Sequence, residues 1–210
     1  LLNCPKIREW NTISSSWSNE VELLSAGSPI RYGVIKYSPV TSKRIIVTLS
    51  DDGFLDAYVC NKDCNIAGSW TVTNNIGQVW GTATAERRFD IGFESATGDA
   101  LVVYSMQTAS TTCDLAYKAL PQASSSFSGI TEQCIDDIGH TTDLQYTWVS
   151  LNRNHLISSE EIILSGFDGG SNDINAWVWN GSSFGNQQEI AANAISVNGG
   201  EGLAIKYAAD

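Results

Sequence analysis

Positive charge is scarce in this chain. There are 12 Lys and Arg against 23 Asp and Glu in 210 residues, a formal net charge of -11. Affinity for a nucleic-acid backbone rests on Lys and Arg, so this balance argues against a nucleic-acid partner. Histidine is rarer still, at two residues. His140 follows Ile138-Gly139 and His155 ends the stretch Asn152-Arg153-Asn154-His155. Neither stands in a Ser-x-x-His or His-x-His context, and both read as surface loop residues. No run of 18 or more apolar residues occurs, so no membrane span is expected. No stretch reads as a helix. Glu189 to Ala194 comes nearest and is read as strand plus loop. The chain begins at Leu1 with no Met and no charged n-region before an apolar stretch, and is read as a processed or excised segment.

What is abundant points the other way. Hydrophobic residues make up 42%, charged residues only 17%, and there are 18 Gly among many Ser, Thr and Asn. That balance suits an all-β protein with polar turns. Five Cys are present. Cys60 and Cys64 bracket a short loop, and Cys113 and Cys134 bracket the outer half of one repeat. Two such staples suggest an oxidising, extracellular setting, with Cys4 left over. Reduced thiols, some of them buried, are the alternative. A zinc site is not expected, because Cys60-x3-Cys64 has no second ligand pair.

A short pattern recurs four times: a small residue, a Ser, then an aromatic. It reads Ser15-Ser16-Trp17, Gly68-Ser69-Trp70, Ser125-Ser126-Phe127 and Ser182-Ser183-Phe184. The aromatics lie 53, 57 and 57 residues apart. A fixed period of that size marks repeated supersecondary units. A second landmark keeps the same period. Ile35-Lys36-Tyr37, Ile91-Gly92-Phe93, Val149-Ser150-Leu151 and Ile205-Lys206-Tyr207 start 56, 58 and 56 residues apart. Their apolar-polar alternation reads as a half-buried first strand.

A more continuous apolar run follows each one, at Ile45–Leu49, Leu101–Tyr104 and Ile162–Leu164, as expected of a strand buried on both faces. A third strand carries Ala57-Tyr58, Ala116-Tyr117 and Ala176-Trp177. The fourth lies beyond the Ser-aromatic landmark, at Glu20–Leu23, Thr71–Ile76, Ile130–Ile135 and Gln187–Ile190. At the ends, Leu1 to Cys4 reads as a second strand, Lys6 to Trp10 as a third, and Gly202 to Ala208 as a first.

Four-stranded antiparallel units of this length are the blades of β-propellers. The expected fold is therefore all-β: one domain over 1–210, a four-repeat β-propeller. The repeats run about 1–29 plus 200–210, 30–85, 86–145 and 146–199, so one blade takes strands from both chain ends. Leu1, Leu2, Leu203, Ile205 and Tyr207 are the closure residues. The first strand at the C-terminal end pairs either with this chain's own N-terminal strand or with that of a neighbouring copy.

The stretches Phe89-Asp90-Ile91-Gly92-Phe93-Glu94, Gly98-Asp99-Ala100-Leu101-Val102-Val103-Tyr104-Ser105 and Trp179-Asn180-Gly181-Ser182-Ser183-Phe184 resemble the blade repeats of large secreted microbial surface proteins. The pattern is also similar to sialidase-type and kelch-like propellers. The resemblance implies the fold; propellers host many unrelated activities.

The chemistry-bearing residues are sparse. Asp51-Asp52, Asp136-Asp137 and Glu160-Glu161 are paired acids, which glycoside hydrolysis or Ca²⁺ binding could use. Asp51-Asp52-Gly53 and Asp168-Gly169-Gly170 are read first as hairpin turns. The six Arg are not read as recurring at corresponding repeat positions, and Arg87-Arg88 reads as a solvated loop near a channel mouth. Trp80 and Trp148 fall outside the repeated aromatic position and are the ligand-binding expectations, for sugar stacking. Trp10, Trp17, Trp70, Trp177 and Trp179 are expected in the core. Asn180-Gly181-Ser182 matches a glycosylation acceptor and also suits a turn.

No catalytic residues, metal or cofactor are assigned, with Ca²⁺ the one cation weighed, and the chain is expected not to be an enzyme. The expected function is an extracellular structural or adhesive protein at the cell surface, assembling head to tail with copies of itself. The alternative is a carbohydrate-binding module for cell-surface glycans, and a glycoside hydrolase stands third.

Overall fold

A computed structural model describes residues 3–79, 86–106, 113–135, 146–169, 171–193 and 203–208. These residues form strands, turns and one 3-10 turn at Ala67–Ser69. Three antiparallel sheets of four strands follow one another along the chain. Before them come two short ribbons. In one, β1 (Lys6–Ile7) pairs with β4 (Val21–Glu22); in the other, β2 (Trp10–Asn11) pairs with β3 (Ser16–Trp17). The first sheet is β5 (Ile30–Tyr37), β6 (Arg44–Ser50), β7 (Phe54–Cys60) and β8 (Trp70–Gln78). The second is β9 (Phe89–Phe93), β10 (Ala100–Ser105), β11 (Leu115–Leu120) and β12 (Gln133–Ile135). The third is β13 (Tyr146–Arg153), β14 (Glu161–Asp168), β15 (Ile174–Asn180) and β16 (Phe184–Ala191).

Each sheet is a meander, with consecutive strands paired antiparallel. Asp51-Asp52-Gly53 makes the β6–β7 turn. Gly53 sits at φ 85°, a region that L side chains avoid, and its N–H bonds the carbonyl of Ser50 at 3.0 Å.

The apolar runs of the second strands have a specific cause. Successive side chains of a strand point to opposite faces. In β6, Ile45, Val47 and Leu49 enter the core between the first and second sheets, while Ile46 enters the core toward the N-terminal ribbon. In β10, Ala100, Val102 and Tyr104 face the first sheet, while Leu101 and Val103 face the third. The first and second sheets are thus covered on both faces, and both faces of their central strands are apolar. Burying each Leu, Ile, Val or Phe contributes about 1.5–3 kcal/mol, so these interfaces dominate the stacking energy.

The first strands lie together, with β9 against both β5 and β13. Asp90 ties two of them: its fully buried carboxylate accepts the N–H of Leu151 at 2.8 Å and that of Ile91 at 2.8 Å.

Both expected disulfides form, Cys60–Cys64 and Cys113–Cys134, and Cys4 is free and half-buried. Several boundaries differ from expectation. Lys6 to Trp10 is not one strand. Ser18 accepts the N–H of Glu9 on its hydroxyl, which interrupts the ladder and leaves two ribbons. Asn3 and Cys4 form a bend rather than a strand. The last strand of the second sheet starts at Gln133, because Ile130 N–H turns back to the carbonyl of Phe127 at 3.1 Å. Leu203 to Ala208 shows alternating burial but joins no strand ladder among the described residues. Leu1 and Leu2 lie outside the described residues.

Candidate functional site

The parallel course of β5, β9 and β13 brings their C-terminal ends together around a cleft of about 270 Å³. Ile91, Gly92, Phe93 and Leu151 make its walls apolar, and Lys36, Tyr37, Asn152, Arg153 and His155 supply the polar groups. The loop carrying His155 is held in place from both sides. Ser95 Oγ donates to the carbonyl of Asn154 at 2.5 Å, and Ala96 N–H donates to that of Ser159 at 3.0 Å. Within the third sheet, Asn154 Nδ2 donates to Glu161 Oε2 at 3.0 Å. Lys36 and Arg153 are half-buried, and neither has an ion-pair partner among the described residues.

The opposite ends of the same strands are also cationic, but neutralised. Arg31 pairs with Asp51 at 2.5 Å, Arg87 pairs with Asp90 at 2.5 Å, and Arg88 pairs with Glu86. Arg31 and Arg87 do stand at corresponding positions, each four residues before the landmark Ile35 or Ile91. Arg88 is buried rather than solvated, because Glu86 offsets its charge. Trp148 lies here too, only 9% exposed, with the Arg87 guanidinium 5.8 Å from its ring centroid. It is placed to pack, not to meet a ligand from solvent. Trp80, His140 and Asp136-Asp137 lie outside the described residues.

The exposed aromatics are elsewhere. Trp10 is 50% exposed and Trp17 61%, and their rings meet edge to face with centroids 5.4 Å apart. Both were expected in the core. Trp70 and Phe127, at the repeat position of Trp17, are buried; Trp70 donates its indole N–H to the carbonyl of Cys64 at 2.9 Å. Trp17 has no such wall, since β2 and β3 form a ribbon of their own.

Beside Trp10 lies a depression of about 520 Å³, lined by Glu9, Trp10, Ile35, Tyr37, Thr41, Ser42 and Arg44. Glu9 and Arg44 are ion-paired across it. Tyr37, 69% exposed, lines both this depression and the cationic cleft, which approach each other from opposite faces of the C-terminal end of β5. Sequence reasoning missed Trp10, Tyr37, Lys36 and Arg153 as surface groups. The signal was present only in Lys36, the polar residue between two apolar ones in a first strand.

Asp51 and Asp52 are turn residues, with Asp51 committed to Arg31. Among the described residues no group of three His, Cys, Asp or Glu is placed to hold a metal ion, and no helix is long and apolar enough to cross a membrane.

The fold and these clefts define an all-β protein of face-packed, four-stranded antiparallel sheets with two disulfides. No family model matches the chain and no curated protein matches it. Among solved structures, the chain is similar to the intramolecular trans-sialidase from Ruminococcus gnavus, crystallised with oseltamivir carboxylate. The identity is 13%, the TM-score 0.41, and the match covers 86% of this chain and 39% of that one. At that distance the likeness carries nothing about chemistry.

Proposed function

We propose that this chain is an extracellular β-propeller module of the adhesive class, and that its exposed aromatic face holds carbohydrate. The fourfold sequence period and the grouped first strands support the propeller reading, with the N-terminal ribbons and Leu203–Ala208 as parts of a fourth blade. Two disulfides support the extracellular setting. The observation that carries the binding reading is the Trp10, Trp17 and Tyr37 cluster. Large aromatic rings left in water beside ion-paired and hydroxyl groups mark an interaction surface. Sugar rings offer the matching chemistry, an apolar C–H face with hydroxyls at the edge.

A glycan array with the full chain tests this. Binding to at least one neutral oligosaccharide is expected, weakened by Trp10→Ala and Tyr37→Ala with the melting temperature preserved. Binding that is absent, or unchanged in both variants, removes the reading.

Assembly with copies of itself is the second reading, favoured by Leu203–Ala208. That segment shows alternating burial, and burial pushes the Tyr207 hydroxyl up to about 12, yet it has no ladder partner among the described residues. Electron microscopy and sedimentation of the purified chain decide it. End-to-end fibres support the reading, and monodisperse particles at high concentration count against it.

A further inference from the structure

We infer that the cleft at the C-terminal ends of β5, β9 and β13 binds an anionic group, a carboxylate or a sulfate, carried by the same carbohydrate that lies on Trp10 and Tyr37. This rests on the proposed aromatic site and gives its ligand a chemical class: acidic rather than neutral glycans.

The charge distribution is the first argument. In a chain of net charge -11 carboxylates are plentiful, yet Lys36, Lys62, Lys118, Arg153 and Lys206 have no ion-pair partner among the described residues, and of these Lys36 and Arg153 line one cleft. Arg31, Arg44, Arg87 and Arg88 each have a carboxylate partner. Lys43 is buried on three backbone carbonyls. Lys36 and Arg153 share one small cleft, and no carboxylate is paired with either among the described residues. Two like charges in one concavity repel, and an entering anion relieves that repulsion while meeting both.

The surroundings are the second argument. Ile91, Phe93 and Leu151 keep part of the cleft apolar, which lowers the local dielectric and strengthens any charge pair formed there. A guanidinium presents its N–H groups in a planar fork that fits two oxygens of a carboxylate or sulfate. The Asn152 amide and the His155 ring add hydrogen-bonding capacity at the rim. These groups are held in place, because the Asn154–Ser159 loop is bonded to Ser95 and Ala96 of the second sheet.

Proximity is the third argument. Tyr37 lines both hollows at the C-terminal end of β5, where Ile35 and Tyr37 face Trp10 and Lys36 faces the second sheet, so a ligand that passes round that strand end reaches both.

The test uses the full chain and three soluble probes of equal length: a neutral hexose oligosaccharide that binds the aromatic face, the corresponding hexuronate, and an O-sulfated form. Titration calorimetry is run at low and at high salt. At least one acidic probe is expected to bind about tenfold tighter than the neutral one, the sum of two partly exposed charge pairs. That advantage shrinks as salt is raised. The double substitution Lys36→Gln with Arg153→Gln abolishes it and leaves neutral binding and melting temperature unchanged. Which acidic probe gains identifies the carboxylate or the sulfate as the source.

If the neutral probe binds and neither acidic probe is tighter, the inference is overturned while the aromatic site stands. It is overturned in the same way if the acidic advantage survives the double substitution. If no probe binds at all, the aromatic site falls and this inference with it.

Discussion

Glu94 accepts a hydrogen bond from the indole Nε1 of Trp179 at 2.6 Å, across the interface between the second and third sheets. Its other oxygen takes the hydroxyl of Thr97. Burial disfavours the charged form and raises the carboxyl above its usual range, although both hydrogen bonds oppose the shift. An acid raised on folding makes the native state bind more protons than the unfolded one. Its stabilising contribution is therefore complete below the unfolded value of 4.5 and declines as pH rises through the folded value. Glu94→Gln keeps an acceptor for Trp179 and removes the titration. The urea midpoint of the variant should gain on wild type as pH is raised above that range. Parallel curves across pH would contradict the assignment.

Lys43 fastens the first sheet to the loop after β11. Its ammonium donates to the carbonyls of Pro121, Gln122 and Ser124 at 3.2, 2.5 and 2.7 Å. Lys43→Met retains the apolar stem and withdraws the donor from all three carbonyls. A loss of about 1–3 kcal/mol is expected, read from chemical denaturation.

Gly77 in β8 is a close-approach position. A Cβ there would lie 2.5 Å from Cζ of Tyr104, on the neighbouring sheet. Gly77→Ala should destabilise by about 1–3 kcal/mol through overpacking. Combining it with Tyr104→Ala should cost less than the sum of the two single changes, since the clash partner is gone.

The two disulfides should differ in worth. Cys113–Cys134 closes a loop with a sequence separation of 21, and Cys60–Cys64 one of 4. In the chain-entropy account these contribute about 3 and about 2 kcal/mol respectively. Paired Ser substitutions, compared by thermal melting, should show the larger fall for Cys113 and Cys134. Equal falls would point to enthalpic terms instead.

Much of the architecture was legible in the sequence because periodic burial writes itself into residue type. Ile45 to Leu49 is continuous in its apolarity because both faces of that strand are covered. Ile35-Lys36-Tyr37 alternates too, but there the pattern misleads, since Ile35 and Tyr37 are exposed and Lys36 is half-buried. The four strands of each of the three sheets and their order followed from such patterns, and the two disulfides from cysteine spacing. The surface residues did not. Trp17 matches Trp70 and Phe127 in local sequence, yet is exposed where they are buried. Trp148 was expected to reach a ligand and is instead packed under Arg87.

The sequence by itself determined the strands, their sequential pairing and the spacing of the units, since backbone pleat and turn chemistry act over a few residues. Only the tertiary structure decided which ends of three first strands are neutralised and which leave cations unanswered. It also decided which aromatics lose their covering wall. The cationic cleft unites residues of β5, β9 and β13, and Trp17 stands on a ribbon apart from the larger sheets, so both outcomes rest on packing that no local pattern encodes.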